Sequence, residues 1–140
     1  MYEYKVKITR VVDGDTVDAE IDQGFGTFKK DRIRLMGMDT PESRTRNLFE
    51  KRLGLASKER LKELVKQHKG NLVLRTTKEG KGKFGRILGS LVVYDTGLDL
   101  NHQLMSEGHA RPYMGGKKIP WVKEVDGNMF RWTPSGYVEY

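Results

Sequence analysis

The chain has 140 residues, 36% of them hydrophobic and 32% charged, which is the size and composition of one globular domain. It contains no cysteine, which excludes disulfides and thiol catalysis, and no apolar run approaches the roughly 18 residues of a membrane span. Its 26 lysines and arginines against 19 acidic residues give a formal charge of +7. That charge favours polyanions such as nucleic acid as partners, although a basic surface can also serve solubility alone.

The N-terminal part of the chain predicts three β-strands. Val6, Ile8 and Val11 alternate with polar residues, as in a half-buried strand. A second short strand is predicted over Thr16–Ile21 and a third over Thr27–Met38. The turns between them are short and rich in glycine and aspartate, which predicts an antiparallel meander.

The next stretch, Leu53–Lys69, predicts an amphipathic helix, because apolar residues and one histidine recur at helical spacing: Leu61, Leu64, Val65 and His68. Two further strands, over residues 71–77 and 86–94, and a short helix capped by Asp99 follow. This order predicts an α+β, mainly β fold. It is a five-stranded OB-fold Greek-key barrel with the main helix between strands 3 and 4 and the short helix after strand 5. Residues 114–140 are expected to be an irregular or short-stranded extension packed on the domain of residues 1–113.

Two short segments contain acids and an arginine of the kind that phosphodiester hydrolysis uses. Asp13 and Asp15 lie in one tight turn, where two carboxylates can bind a hard cation, although an ordinary Asx turn also explains them. Arg34 precedes Asp39 and Glu42 at a predicted strand end, where side chains can converge on a rigid sheet. A surface salt bridge followed by a proline turn is the alternative interpretation.

A third segment, Lys81–Arg86, combines glycines, lysines and an aromatic ring. Glycines permit close approach of the backbone, lysines attract phosphate, and the ring of Phe84 offers a face on which a base can stack. A flexible, solvated hairpin loop explains the same composition. This segment is therefore weak by itself, and its meaning depends on the other two.

Together, the three segments resemble the staphylococcal nuclease (thermonuclease) family over roughly residues 4–113. The predicted elements follow the same order as in that family. The motifs are VVDGDT (Val11–Thr16), RLMGMDTPE (Arg34–Glu42) and KFGR (Lys83–Arg86). The first two at this separation are a specific combination, whereas KFGR alone is not.

The resemblance implies a calcium cofactor. In this family the ligands correspond to the carboxylates of Asp15 and Asp39 and to the backbone carbonyl of Thr40. Oxygen ligands suit a hard cation such as Ca²⁺, and no histidine or cysteine lies among them. The histidines and the two tryptophans of the chain are instead expected to be structural.

The resemblance also implies catalytic roles for Arg34, Glu42 and Arg86. The two arginines correspond to those that grip the phosphate, and the glutamate to the residue that positions or deprotonates the attacking water. Substrate contacts are implied for three further residues: Lys83, Phe84 and Tyr113. The match is not complete, because Phe84 replaces a tyrosine, Tyr113 corresponds only loosely, and residues 117–140 lack a long C-terminal helix.

These observations predict a calcium-dependent, sugar-nonspecific nuclease that cleaves DNA and RNA to 3′-phosphates, preferably in single-stranded or locally melted regions. The alternative is an OB-fold module that binds single strands and cleaves nothing. Acids beside phosphate favour the enzyme, since their repulsion would weaken binding without a cation. We expect a monomer without membrane association. The N-terminus lacks the apolar segment of a signal peptide, so a cytoplasmic protein is expected if Met1 is native and a secreted one if the chain is a mature form.

Overall fold

The computed structural model describes residues 2–77 and 86–140, which contain ten strands and two helices. The helices are α1 (Leu48–Gln67) and α2 (Leu100–Ser106). The strands are β1 (Tyr2–Asp13), β2 (Thr16–Asp22), β3 (Phe28–Leu35), β4 (Met38–Asp39), β5 (Leu72–Thr76), β6 (Ile87–Val93), β7 (Arg111–Pro112), β8 (Val122–Val125), β9 (Asn128–Thr133) and β10 (Gly136–Glu139).

Five of these strands form a closed barrel in the order β1-β2-β3-β6-β5. The first three are antiparallel neighbours, as the short turns predict. β6 runs parallel to β3 and antiparallel to β5, and β5 pairs with β1, which closes the barrel. The predicted α+β architecture, a five-stranded OB-type barrel, is confirmed, with β5 and β6 as its fourth and fifth strands.

The third strand is shorter than predicted. β3 ends at Leu35 instead of Met38, because Gly37 takes a φ of 75°, which interrupts a strand and favours glycine. The chain turns there and continues as β4, which pairs with β7. Asp39 therefore ends a separate two-residue strand, and its partner across the ladder is Arg111.

The main helix begins earlier than predicted, at Leu48 instead of Leu53. Asn47 caps it, since the side-chain oxygen accepts hydrogen bonds from two first-turn N–H groups at 3.1 and 3.2 Å. Small residues continue the buried stripe of the helix toward its N-terminus and give no apolar signal in the sequence. The buried positions are Gly54, Ser57, Leu61 and Leu64.

The second helix connects the barrel to the turn before β4. Asp99 caps α2 as predicted, with its carboxylate accepting from the N–H of Asn101 at 2.8 Å. Asn101 is buried, and its side-chain amide donates to the carbonyl of Met36 at 3.0 Å. This bond fixes the turn that leads into Asp39.

The C-terminal segment is short-stranded, which is one of the two alternatives that the sequence leaves open. Strands β8, β9 and β10 make a three-stranded antiparallel sheet in the order β10-β9-β8. Over residues 117–140, all of which the structure describes, there is no helix, as expected. Neither helix in the described ranges is both long and apolar enough to cross a membrane.

The hydrophobic core joins the barrel interior to the buried sides of both helices. The side chains in this core are branched aliphatics and methionine, which pack densely in fixed rotamers. Its largest fully buried apolar members include Val17, Ile33, Leu35, Met38, Leu61, Leu74, Leu91, Leu100 and Leu104. Because Leu35 and Met38 flank the turn at Gly37, the core holds both sides of the segment that carries the predicted site.

Candidate active site

A cleft of about 230 Å³ gathers residues that are far apart in the sequence. They come from the β1–β2 turn, the end of β3, the stretch that follows β4, the residue before β6, and the segment before β8. The cleft is lined by Asp13, Asp15, Thr16, Arg34, Asp39, Thr40, Pro41, Glu42, Ser43, Arg86 and Lys118. All the residues predicted to be catalytic or metal-binding are among them.

The register of the barrel brings Asp15 and Arg34 together. Thr16 of β2 is the ladder partner of Arg34 in β3, so the preceding Asp15 lies beside the guanidinium. The two side chains form an ion pair, and Asp15 also accepts from the hydroxyl of Thr16 at 2.9 Å. They are only 15% and 14% exposed, so water and salt screen this pair less than a surface pair.

Arg34 keeps hydrogen-bonding capacity that these contacts do not use. Its Nη2 donates to the carbonyl of Met38 at 3.4 Å. Its Nη1 forms the ion pair with Asp15. An anionic oxygen in the cleft, such as one from a phosphate, would accept from the remaining N–H groups of the guanidinium.

Asp39 is buried and surrounded by cations and donors. Its Oδ2 accepts from the indole N–H of Trp121 at 2.9 Å and from the Nε and Nη2 of Arg111 at 3.2 and 3.1 Å. Its Oδ1 faces the ammonium of Lys118 at 2.9 Å. The carboxylate is therefore fixed on one side by buried groups and approached on the other by an exposed lysine.

Aromatic rings hold Arg111 in place. Its guanidinium lies 4.3 Å from the ring centroid of Trp121 and 5.3 Å from that of Trp132. The two indoles pack edge to face, with centroids 5.3 Å apart. Arg111 also donates to the carbonyl of Ile119. The C-terminal sheet and the segment before it thus support Asp39 through a buried arginine and two tryptophans.

Helix α1 supports the other acids of the cleft. A Cβ at Gly54 would collide with the carbonyl of Glu42, so only glycine lets the helix pack this closely against that segment. A Cβ at Gly14 would approach Ser57 of α1 to 2.8 Å, which restricts the β1–β2 turn in the same way. The backbone N–H of Glu42 donates to Glu50 at 2.9 Å. The side chain of Glu42 remains exposed to the cleft and to solvent.

Arg86 enters the cleft from the start of β6. The strand begins at the next residue, Ile87, which pairs with Ile33 of the parallel strand β3. Arg34 follows Ile33 and Arg86 precedes Ile87, so the two arginines arise from adjacent strands, two positions apart along the strand direction. Arg86 is half-buried and lines the cleft. Two arginines on adjacent strands can contact separate oxygens of one phosphate.

Of the three predicted substrate contacts, Tyr113 is the one that lies within the described residues. Lys83 and Phe84 lie outside the described residues. Tyr113 does not line the cleft; its hydroxyl donates to the carbonyl of Gly116 at 2.7 Å, and its ring centroid is 4.8 Å from the Lys118 ammonium. Tyr113 therefore borders the cleft through that lysine.

Four residues of the site are outside the catalytic and metal-binding set that the sequence predicts. Asp13 belongs to the DGDT motif, and its carboxylate accepts from the hydroxyl of Ser43, so the motif itself pointed toward it. The other three lie in a part of the chain without hydrophobic periodicity, and no local signal marks them: Arg111, Lys118 and Trp121.

The oxygens of the cleft suit a hard cation, but few of them converge. Among the described residues, no group of three or more His, Cys, Asp or Glu side chains is close enough to hold a metal ion. The carboxylates of Asp15 and Asp39 and the carbonyl of Thr40 are the available donors, and Ca²⁺ accepts such oxygens together with water. The Lys118 ammonium beside Asp39 indicates that a positive charge is accommodated there.

Comparison with known proteins relates the chain to nucleases. A family model described as "Staphylococcal nuclease homologue" matches residues 32–126, more than half of the chain. Endonuclease YncB of Bacillus subtilis is 32% identical over 143 residues, covering 95% of this chain and 64% of that protein. An uncharacterized protein of Methanocaldococcus jannaschii is 30% identical, over 83% of this chain and 62% of its own. The SPbeta prophage-derived endonuclease YokF of Bacillus subtilis is 34% identical, over 95% and 45%. The chain thus spans less than two thirds of each of these relatives.

Proposed function

Because the chain belongs to the staphylococcal nuclease homologue family, we propose that it is a calcium-dependent nuclease that hydrolyses DNA and RNA to 3′-phosphates. One observation carries this proposal: a single cleft contains three acids and two arginines that match the family motifs. They are Asp15, Asp39, Glu42, Arg34 and Arg86. Acids and arginines together suit a reaction in which a cation and a phosphate must be bound side by side.

Calcium would be held by the carboxylates of Asp15 and Asp39 and by the carbonyl of Thr40. These are hard oxygen donors, and they line one cleft. A bound calcium ion would supply positive charge that offsets the charge growing on the phosphate oxygens. Asp39 is suited to this role because buried donors fix its orientation before any cation binds.

The side chains of the cleft would then act on the substrate directly. Arg34 and Arg86 would bind phosphate oxygens and stabilise their increasing charge. The exposed carboxylate of Glu42 would orient a water molecule and accept its proton as the water oxygen bonds to phosphorus. The bond from phosphorus to the 5′ oxygen breaks, and that oxygen leaves and is protonated. The phosphate stays on the 3′ oxygen of the other fragment.

The size of the cleft supports a single-stranded or locally melted substrate. A cleft of about 230 Å³ admits a phosphodiester unit with part of its sugars, and a flexible single strand can present such a unit more readily than a rigid duplex can. None of the proposed contacts involves the sugar 2′ position, so DNA and RNA would be cleaved alike. All of the proposed groups come from one chain, so we propose that a monomer is active.

The test is digestion of single-stranded DNA, double-stranded DNA and RNA with calcium, with magnesium and with chelator, followed by mapping of the product ends. We expect calcium-dependent cleavage that leaves 3′-phosphates. Protein with Glu42→Gln, purified in parallel, controls for a contaminating nuclease and should lose most of the activity. If no metal supports cleavage but salt-sensitive binding of single strands persists, the protein is a binding module and the proposal is wrong.

A further inference from the structure

The two oxygens of Asp39 have different surroundings. Oδ2 accepts three hydrogen bonds from Trp121 and Arg111, and both of those residues are buried. Oδ1 contacts the Lys118 ammonium, whose side chain is 46% exposed while that of Asp39 is 6% exposed. Oδ2 is therefore occupied by hydrogen bonds from buried groups, whereas Oδ1 can exchange the Lys118 ammonium for another cation.

Lys118 lies in an irregular segment, and its ammonium can move away from Oδ1 of Asp39. The residues from Gly115 to Pro120 form no regular secondary structure. Both ends of the segment are fixed, since the N–H of Tyr113 donates to the carbonyl of Gly37 at 2.9 Å and Trp121 is buried. A lysine has a flexible stem of four carbons, so its ammonium can leave Asp39 without any change in the backbone.

The charges around Asp39 indicate that the contact with Lys118 forms only when no metal ion is bound. Arg111 already balances the charge of Asp39, and Arg34 balances that of Asp15. Lys118 is therefore a second cation beside Asp39, in addition to Arg111. A divalent ion ligated by Oδ1 would stand where the ammonium stands, and the two charges repel. The ion and the ammonium cannot both occupy the position.

We propose that Lys118 is a tethered cation that competes with the metal for Oδ1 of Asp39 and so lowers the metal affinity of the site. This inference rests on the calcium site proposed above and names the residue that regulates it. The Lys118 ammonium neutralises the cleft while no metal is bound. The same ammonium lies 4.8 Å from the ring centroid of Tyr113, at the edge of the cleft.

The size of the effect follows from the population of the contact. If the ammonium occupies the position about nine times in ten, the apparent dissociation constant for calcium is raised about tenfold. Removing the charge at position 118 removes that competition. Calcium should then bind about tenfold more tightly. The anionic substrate, by contrast, loses one attracting charge.

The experiment is calcium titration by calorimetry of the full chain and of Lys118→Met, without nucleic acid. The expected result is an approximately tenfold lower dissociation constant for the variant. Lys118→Arg should bind calcium no more tightly than the wild type, because it keeps the competing charge. Lys117→Met, a change at the exposed neighbouring lysine, is the matched control and should bind like the wild type.

Two outcomes are distinguishable. If the wild type binds calcium and Lys118→Met binds it equally or less tightly, the competition is wrong while the calcium proposal stands. If neither protein binds calcium, the calcium proposal is wrong and the competition with it. Quenching or enhancement of Trp121 fluorescence during the titration gives a second readout, because this indole is bonded to Asp39.

Discussion

Two clefts of similar size in this protein differ in charge. The first, of about 230 Å³, is the candidate active site, where four carboxylates lie among three cations. The second, of about 250 Å³, lies between β1 and α1 and is lined by five cations, with no carboxylate among its lining residues. Its cations are Lys7, Arg10, Lys62, Lys66 and Lys69, and its other lining residues are mostly apolar.

The difference separates binding from chemistry. Cations alone attract nucleic acid phosphates, and the second cleft can do this without any further feature. Cleavage needs acids as well, to hold a hard cation and to accept a proton from water, and acids beside phosphate must be balanced. In the first cleft, Arg34 and Arg111 provide that balance through ion pairs with Asp15 and Asp39. The second cleft has no carboxylate among its lining residues, so it needs no ion pairs to balance one.

The largest effect is expected for Arg34→Lys in the first cleft. Lysine keeps the charge but loses the planar fork that can contact Asp15 and a phosphate together. We expect kcat to fall about a hundredfold or more, with a smaller change in KM, because the contact strengthens as charge grows on the phosphate. Steady-state cleavage of a labelled single strand measures both constants.

The neighbouring strand position offers a matched control for that substitution. Arg32 also lies in β3 and also pairs with an aspartate of β2, Asp18, at 2.8 Å, where it lowers the pKa of that carboxyl. This pair is exposed and lies outside the first cleft. Arg32→Lys should therefore leave kcat unchanged. Equal losses at both positions would mean that the effect of Arg34→Lys is structural.

The second largest effect concerns the support of Asp39 by Trp121. Trp121→Phe keeps an aromatic ring beside Arg111 but removes the N–H that donates to Asp39. Loss of a hydrogen bond to a proposed metal ligand should weaken calcium binding about tenfold or more. Calorimetry measures this loss, and thermal unfolding checks that the fold persists.

Trp132→Phe is the control for this change, since Trp132 also packs on Arg111 but does not contact Asp39. It should bind calcium like the wild type. If both variants lose affinity equally, the aromatic packing around Arg111 matters and the hydrogen bond from Trp121 does not.

Most of the barrel and half of the site could be predicted from the sequence because their signals are local. Alternation, turn residues and caps act within a few positions, and they located the strands and both helices. The errors came from small residues with tertiary roles. Gly37 ends β3 through a positive φ, and Gly54 is buried in α1 because the backbone of Glu42 passes close to it. Alternation continued the predicted strand through Gly37, and the small residues at the start of α1 gave no apolar signal for its first turns.

The rest of the site depends on contacts that no local pattern encodes. Arg111 is 72 residues from Asp39 in the chain, and Trp121 is 82 residues away. Both reach Asp39 because β4 pairs with β7, and each of these strands has only two residues. Family motifs identified Asp39 itself, but the groups that hold it became visible only in three dimensions.

A smaller effect is expected in the basic cleft. The double variant Lys62→Gln/Lys66→Gln removes two of its charges from α1 while leaving the first cleft intact. We expect kcat/KM on long single strands to fall less than about fivefold at low salt, with kcat unchanged, because phosphate attraction there contributes only to capture. Lys117→Gln/Lys123→Gln removes the same charge elsewhere. Equal effects of the two double variants would mean that only net charge matters.

The smallest effect concerns α1, which lines the second cleft and packs against Glu42 of the first. Arg60 of α1 joins it to Glu107 at the end of α2. The guanidinium Nε lies 2.6 Å from the carboxylate, and this hydrogen bond lowers the pKa of Glu107 from 4.5 to about 2. A lowered pKa stabilises the folded state fully above pH 4.5, and the contribution disappears as the pH falls toward 2. Because the pair is partly exposed, we expect Glu107→Gln to reduce the free energy of unfolding by about 1 kcal/mol or less at pH 7.

That difference should shrink as denaturant titrations are repeated at successively lower pH. Cleavage at pH 7 should not change, because neither residue lines either cleft. A difference in unfolding free energy that stayed constant down to pH 3 would show that the ion pair is not its source. A loss of cleavage would show instead that a shift of α1 disturbs the acids of the first cleft, because α1 packs against Glu42 through Gly54.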